Sequence, residues 1–351
     1  MGIYKREEER GLSMKLSILD LCNILPDEMP ADTITRTAEA AVHFEDAGYT
    51  RIWYAEHHNT DSLLSTTPAI MITLVSHHVK NLRLGSGGVM LPNHSPLKVA
   101  EDFALLEAIA PGRIDLGLGR APGTDPMTAF ALRRSTEALN KDDFPQQMEE
   151  LLHYFDRDFP AEHPFRRITA TADRHLLPEV FVLGSSTGGV QVAIDRGLGF
   201  AFAAHINPDM AEPILNVYKD NFVPSPRYEA PYSILALTAI TAETEEEARY
   251  LAAPAELQFA QMASGRITAR VSAEDAARHS WTPAEQAARR EGASKFYIGT
   301  PEDLRDRIMD KAEKCRADEV MIMDMYPDQA SRLKGASLMA KAFSLEERIH
   351  A

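Results

Sequence analysis

Two adjacent histidines, His57 and His58, follow a short apolar run that is typical of a β-strand. Because side chains alternate along a strand, one imidazole should point to each face of the sheet. A histidine at a strand end can act as a general acid or base near neutral pH. The alternative is that both histidines only hold a loop through hydrogen bonds. A metal site is disfavoured, although Glu56 precedes them, because neighbouring side chains on a strand diverge.

A phosphate site is indicated by the turn Gly184-Ser185-Ser186-Thr187-Gly188-Gly189, which lies between an apolar run and a helix that begins near Val190. Free N–H groups at a helix N-terminus and nearby hydroxyl groups bind phosphate, although the same residues are also good helix caps. Arg120 follows the glycines of another apolar run, Ile114–Gly119, and would supply the charge that a phosphate needs. An ion pair within the protein is the alternative for this arginine.

Three glycines, Gly85, Gly87 and Gly88, interrupt the apolar run Leu82–Leu91. Glycine is unusual inside a strand, because it costs conformational entropy and packs nothing. The cluster therefore indicates a flat ligand lying against bare backbone. A tight turn or a β-bulge explains the same residues equally well.

Composition argues against several classes of function. The chain has 351 residues, and its formal net charge of -15 at pH 7 argues against a nucleic-acid partner. Its two cysteines, Cys22 and Cys315, have no metal-ligand spacing, so we expect no metal, no disulfide framework and a cytoplasmic location. No segment approaches the ~20 apolar residues of a membrane span. We expect residues 1–13, which are polar and charged, to form a disordered leader.

Eight short β-rich runs alternate with helical patterns, and this repeat favours a closed (β/α)8 TIM barrel as the α/β fold. An open doubly wound sheet is the competing architecture, but no GxGxxG motif follows the first run. The active sites of such barrels lie at the carboxyl-terminal ends of the strands. The predicted strands are Lys15–Leu21, Arg51–His57, Leu82–Leu91, Ile114–Gly119, Glu179–Gly184, Phe200–Ile206, Tyr232–Ile240 and Glu319–Met325.

Two of the connections between the predicted strands are much longer than the others. Residues 122–178 contain a predicted helix at about Pro145–Phe155 and then a polar, arginine-containing segment. Residues 254–296 follow the seventh predicted strand and would rise over the carboxyl-terminal end of the barrel. Segments of this length are often functional, and we expect residues 254–296 to be a mobile lid within a single domain, residues 14–351. The alternative is a helical insertion without a role in the site.

The motifs GYTRIWYAEHHN, GSGGVMLPNHSPLKVAEDF and PGRIDLGLGRAPG, followed by the GSS turn, resemble those of the bacterial luciferase-like flavin-dependent monooxygenases. The likeness runs from about Met14 to the C-terminus and is strongest from Gly48 to Gly123. It is closest to the uncharacterised single-chain members of the family. The order of these motifs is specific for the family but much less specific for a substrate.

The resemblance implies a flavin site at the carboxyl-terminal end of the barrel. It implies a non-prolyl cis peptide at Gly87-Gly88, with Val89 beside it, under the flavin ring. It also implies that Arg120 and the turn from Gly184 through Ser185, Ser186, Thr187 and Gly188 to Gly189 bind the FMN phosphate. Many relatives carry Ser-Ala where this chain has Gly189-Val190, so one hydroxyl contact is missing. His57 takes the place of the acid or base group near the reactive face of the flavin.

The resemblance further implies a two-component monooxygenase that uses molecular oxygen and reduced FMN on a small organic substrate. No nicotinamide-binding motif is visible, so a separate flavin reductase would supply the reduced FMN. A deazaflavin-dependent hydride-transfer enzyme is the first alternative, with basic residues for the cofactor tail at Arg166, Arg167, Arg174 and Lys295. The second is a flavin-binding protein without turnover. A homodimer is the family habit, and neither nucleic acid nor a membrane is expected as a partner.

Overall fold

The computed structural model describes residues 14–265 and 270–346, and the predicted leader, residues 1–13, lies outside the described residues. Eight parallel strands form a closed barrel, as the sequence predicts, because β6 pairs with β7 and the eighth barrel strand, β9, pairs with β1. The strands are β1 (Lys15–Asp20), β2 (Arg51–Tyr54), β3 (Arg83–Met90), β4 (Ile114–Gly119), β5 (Glu179–Gly184), β6 (Gly199–Ala203), β7 (Ser233–Thr241), β8 (Phe296–Gly299) and β9 (Glu319–Met323).

One strand, β8, lies outside the closed barrel. The first half of β7 pairs with β6 on one side and with β9 on the other, whereas its last residues, Thr238–Thr241, pair with β8. β8 was not predicted from the sequence, because it has four residues and begins where the predicted insertion ends.

Helices surround the barrel. They are α1 (Pro30–Asp46), α2 (Pro68–Ser76), α3 (Pro96–Ile109), α4 (Pro126–Arg133), α5 (Thr136–Asn140), α6 (Phe144–Asp156), α7 (Thr187–Arg196), α8 (Ala211–Asn221), α9 (Glu245–Ala263), α10 (Ala273–Arg278), α11 (Pro283–Gly292), α12 (Pro301–Lys314) and α13 (Gln329–Ala342). Among residues 14–265 and 270–346, none of these helices is long and apolar enough to cross a membrane.

Local sequence explains where the helices begin and end. α1 starts at Pro30, whose missing N–H costs nothing at a first helical position, and Gly48 follows the helix with a φ of 86°. α12 starts in the same way at Pro301, directly after Thr300. The predicted helix at about Pro145–Phe155 is confirmed as α6, and two shorter helices, α4 and α5, precede it in the same segment.

The two ends of the barrel interior differ in chemistry. At the amino-terminal end, Arg51 pairs with Asp115 at 2.7 Å and with Glu319 at 2.9 Å, and all three side chains are buried. Above them lies an apolar cluster that includes Trp53 and Phe181. Buried charges are costly unless they are paired, so this paired network can fill the amino-terminal end of the barrel interior. The carboxyl-terminal end is then the end that is open to a ligand.

The predicted insertion begins too early. Residues 254–263 are not part of a loop, because they continue α9 and bury Ala255, Leu257 and Ala260. Pro254 lies inside that helix without ending it. The segment then folds back, and Arg289 of α11 pairs with Glu256 of α9 at 2.7 Å. Whether it acts as a mobile lid stays a prediction.

Candidate active site

A cavity of about 390 Å³ opens at the carboxyl-terminal end of the barrel. Strand ends from all around the barrel contribute to its walls, as expected for an active site of this fold. Its lining residues are Leu19, Leu21, Trp53, Ala55, His57, Gly87, Met90, Gly119, Arg120, Ala121, Leu183, Gly184, Ser185, Ser186, Gly189, Ala201, Ala203, His205, Ile206, Ala236, Met321 and Met323.

The structure brings Arg120 and the predicted phosphate turn together. A Cβ atom placed on Gly188 would lie 2.6 Å from Nη1 of Arg120, so the guanidinium lies directly against the first turn of α7. Ser186 occupies the N-cap of α7, and its side chain makes no capping hydrogen bond. The N–H groups of this helix start and the arginine charge are therefore both available to an anion.

Arg120 also takes part in the alternative interaction. Its Nη1 lies 3.5 Å from Oδ2 of Asp142, and both side chains are largely exposed. An exposed ion pair of this length contributes little free energy, so an anion bound at the turn can replace Asp142 at low cost.

The glycines of β3 contain both a cis peptide bond and a bulge. The Gly87-Gly88 peptide bond is cis, which is the geometry that the resemblance implies. The pairing of β3 with β4 also shifts register between Gly87 and Val89, so a bulge is present as well. A Cβ on Gly88 would lie 2.7 Å from the carbonyl oxygen of Gly117. Glycine is therefore required by the strand packing, and Gly87 presents bare backbone to the cavity.

The two histidines after β2 point in different directions, as alternation along a strand predicts. His57 lines the cavity, whereas Nε2 of His58 lies 2.9 Å from the Glu56 carboxylate. Nδ1 of His57 is buried and has no hydrogen-bond partner among the described residues. Burial, followed by the nearby charge of His58, lowers the pKa of His57. The imidazole therefore faces the cavity in its neutral form at pH 7.

Glu56 connects the ends of β2 and β3. Its buried carboxylate accepts hydrogen bonds from His58, from Nε2 of His94 at 2.9 Å and from the backbone N–H of Met90 at 3.0 Å. Burial alone would raise the pKa of Glu56, but the hydrogen bonds from His94 and His58 lower it below its usual value. Because Met90 lines the cavity, this carboxylate fixes part of the cavity wall. Neither this role of Glu56 nor the part that His94 plays was predicted from the sequence.

His205 is a second histidine of the cavity, and it was not predicted from the sequence. It follows β6 and is a lone histidine, but its place at the end of a predicted strand is a signal that could have found it. Nδ1 lies 3.3 Å from the carbonyl oxygen of Ala236. Burial lowers the pKa of His205 to about 4, and the charges of His57 and Lys295 act in the same direction.

Some predicted residues do not line the cavity. Gly88, Val89, Thr187 and Gly188 are absent from its walls, and Val89 is buried in the apolar core. Gly88 and Gly188 have no side chain, so any contact that they make with a cofactor comes from their backbone atoms. The basic residues Arg166, Arg167 and Arg174 are exposed in the segment between α6 and β5, and none of them lines the cavity.

Comparison with known proteins identifies the family. A family model described as luciferase-like monooxygenase matches residues 14–319. The chain belongs to the luciferase-like monooxygenase family. A luciferase-like monooxygenase of Escherichia coli is 35% identical over 326 residues, covering 93% of this chain and 96% of that protein. The N-acetyl-S-alkylcysteine monooxygenase of Bacillus subtilis is 38% identical over 238 residues, covering 67% of this chain and 70% of that protein.

Solved structures of luciferase-like proteins share the fold. The crystal structure of apo-MsnO8 has a TM-score of 0.84 and 31% identity, covering 95% of this chain and 99% of that chain. A Baeyer-Villiger monooxygenase component of Pseudomonas putida, in complex with FMN, has a TM-score of 0.69 and 16% identity, covering 94% of this chain and 97% of that chain. A coenzyme F420-dependent reductase of Methanopyrus kandleri has a TM-score of 0.64 and 16% identity, covering 93% of this chain and 97% of that chain. The same fold therefore occurs in a protein solved in complex with FMN and in a coenzyme F420-dependent reductase.

Proposed function

We propose that this protein is the oxygenating component of a two-component monooxygenase that uses reduced FMN and molecular oxygen on a small organic substrate. The observation that carries the proposal is the contact of Arg120 with Gly188, because it joins a positive charge to an open helix N-terminus at the cavity. When bound, the flavin would supply the oxygen chemistry. A separate reductase would deliver it in reduced form.

The residues present fit such a cofactor. Arg120 and the N–H groups of Gly188 and Gly189 would hold the phosphate. Gly87 offers bare backbone to a flat ring. His57, neutral and without a protein partner at Nδ1, would exchange a proton with the reacting molecules through its imidazole. The apolar walls would exclude water from the reacting atoms.

A deazaflavin remains the alternative cofactor, since the fold is shared with an F420-dependent reductase. A longer, more acidic cofactor tail needs basic side chains beyond the phosphate site. The exposed positions of Arg166, Arg167 and Arg174, away from the cavity walls, favour FMN. Lys295 lies nearer to the cavity, because its charge acts on His205.

The cytoplasmic location and the homodimer are part of the same proposal. Ile70 of α2 is 66% exposed and Leu105 of α3 is 63% exposed, and these two helices pack against each other. Each is an exposed apolar side chain of the kind that a self-association surface would cover. The mobile lid predicted within residues 254–296 is also part of this proposal.

FMN titration of an Arg120→Ala variant tests the proposal. Loss of the charge-assisted contact should weaken FMN binding by roughly 1.5–3 kcal/mol. Arg316→Ala is the matched control, because Arg316 is an exposed, ion-paired arginine just before β9, at the opposite end of the barrel. Equal FMN affinity of the Arg120→Ala and Arg316→Ala variants would remove Arg120 from the cofactor site.

A further inference from the structure

The cavity holds two histidines on opposite sides of the barrel. His57 follows β2 and His205 follows β6, and three strands lie between β2 and β6 on either side of the eight-stranded ring. Both residues line the cavity. The proposed function gives a role to His57 alone, so His205 is a half-buried polar group without an assigned role.

Hydrogen bonding fixes the tautomer of His205. A carbonyl oxygen can only accept, so the ring nitrogen beside the carbonyl of Ala236 must be the donor, which places the ring proton on Nδ1. With a pKa lowered to about 4 by burial, the imidazole is neutral at pH 7. Nε2 therefore carries a lone pair. No side chain or backbone group among the described residues donates to it, and it lies on the side of the ring away from Ala236.

The cavity wall formed by the strand of His205 and by the next strand is apolar. Ala201, Ala203 and Ile206 come from β6 and its end, and Ala236 comes from β7. Further apolar side chains, Met321, Met323, Leu19 and Leu21, line the cavity from β9 and β1. Of the described lysine, arginine, aspartate and glutamate residues, Arg120 is the one that lines the cavity, and the proposed function assigns it to the cofactor phosphate. Lys295 acts on His205 at longer range, but its ammonium group lies 4.7 Å from the ring centre of Phe259, outside the cavity lining.

We propose that Nε2 of His205 accepts a hydrogen bond from a neutral O–H or N–H group of an otherwise apolar substrate. His205 is then a specificity-determining residue of the substrate side of the cavity. The inference rests on the proposed function, because it assumes that the cofactor phosphate occupies the part of the cavity beside Arg120. Buried acceptors reject ligands that cannot pair with them, which makes this kind of site selective.

Three small probes of matched size test the preference on the full chain saturated with FMN. Hexan-1-ol carries a neutral donor, its isomer methyl pentyl ether carries none, and pentanoate carries a negative charge. Trp53 lines the cavity and reports binding by its fluorescence. The measurement uses a Trp281→Phe background, because Trp281 lies in the segment between α10 and α11 and would add a second signal.

Hexan-1-ol should bind about 10-fold more tightly than either methyl pentyl ether or pentanoate, the effect of leaving one buried acceptor unpaired. In His205→Phe, which has no acceptor, the preference over the ether should disappear. In His205→Gln, which keeps an acceptor oxygen, it should persist. Equal binding of the alcohol and the ether, tighter binding of pentanoate, or no binding of any probe would each overturn the inference.

FMN titration of the same variants separates this inference from the proposed function. His205→Phe should bind FMN as tightly as the parent chain, which also shows that the variant folds. If FMN fails to bind the parent chain while its apoprotein still prefers the alcohol 10-fold, the proposed function fails and the assignment of His205 stands. If FMN binds and the preference is missing, the inference alone fails.

Discussion

The guanidinium of Arg120 lies against Gly188, with Nη1 2.6 Å from the point where a Cβ of that residue would stand. The two residues come from the ends of neighbouring strands, β4 and β5, which pair in parallel. A side chain at position 188 would therefore compete with the arginine for the space beside the start of α7.

A Gly188→Ala substitution should weaken FMN binding by about 3- to 20-fold, because the arginine must move away from the helix start. The fold should not suffer, since alanine is the better helix former by about 0.5–1 kcal/mol and the guanidinium is the free end of a flexible side chain. Flavin fluorescence and thermal unfolding measure the two quantities.

A double-mutant cycle provides the control for this prediction. In an Arg120→Ala background, Gly188→Ala should have almost no further effect on FMN affinity, because the displaced group is already absent. Additive losses from the two substitutions would contradict the proposed contact.

His57→Ala should leave FMN affinity nearly unchanged, because none of the groups that hold the phosphate is altered. Product formation should fall by about 10²- to 10⁴-fold, the usual contribution of a positioned acid or base. The measurement is the incorporation of isotopically labelled oxygen into product by mass spectrometry. A parallel loss of flavin binding and turnover would instead make His57 a structural residue.

Glu56→Ala should lower the free energy of unfolding by about 2–4 kcal/mol, because the N–H of Met90 and two imidazoles lose a buried acceptor. Glu56→Gln keeps an acceptor oxygen and should cost less. Denaturant unfolding checks both values. If the alanine variant lost less than about 0.5 kcal/mol, water would be replacing the carboxylate. The Glu56 carboxylate would then not be needed to hold the cavity wall in place.

The same carboxylate makes stability depend on pH. The folded-state pKa of Glu56 lies below its unfolded value, so its contribution is complete above the usual glutamate pKa and is lost as the pH falls below it. The unfolding free energy of the parent chain should therefore decline more steeply in that acidic range than that of Glu56→Gln. Parallel curves for the two proteins would be inconsistent with the hydrogen bonds described.

His205 should also make the stability of the fold depend on pH, but at higher pH than Glu56 does. Its folded-state pKa of about 4 lies below the unfolded value, so the unfolded chain takes up a proton first as the pH falls. Stability should be complete above about pH 6.5 and should drop by about 3 kcal/mol as the pH approaches 4. The unfolding free energies of the parent chain and His205→Gln, compared at pH 7 and at pH 4.5, measure this loss. A constant difference between them would contradict the buried, neutral imidazole.

The barrel could be predicted from the sequence because each of its eight strands carries a local signal of its own, whereas the short strand β8 outside the barrel does not. The convergence of Arg120 with the turn after β5 was predictable too, since adjacent parallel strands end at the same edge. Local pattern could not show that Glu56 bonds to His94, which lies 38 residues further along the chain. It also placed the insertion boundary at 254, where Pro254 is accommodated inside α9. His205 belongs to no motif. Its tautomer is set by the carbonyl oxygen of Ala236 on the next strand, a contact that local sequence does not show.

The most direct measurement is an anaerobic calorimetric titration of the full chain with reduced FMN and with reduced F420, followed by mixing each complex with oxygen in an oxygen electrode. We predict that reduced FMN binds more tightly and that its complex consumes oxygen. Tighter binding of reduced F420, in a complex that leaves oxygen untouched, would contradict the monooxygenase and identify a hydride-transfer enzyme.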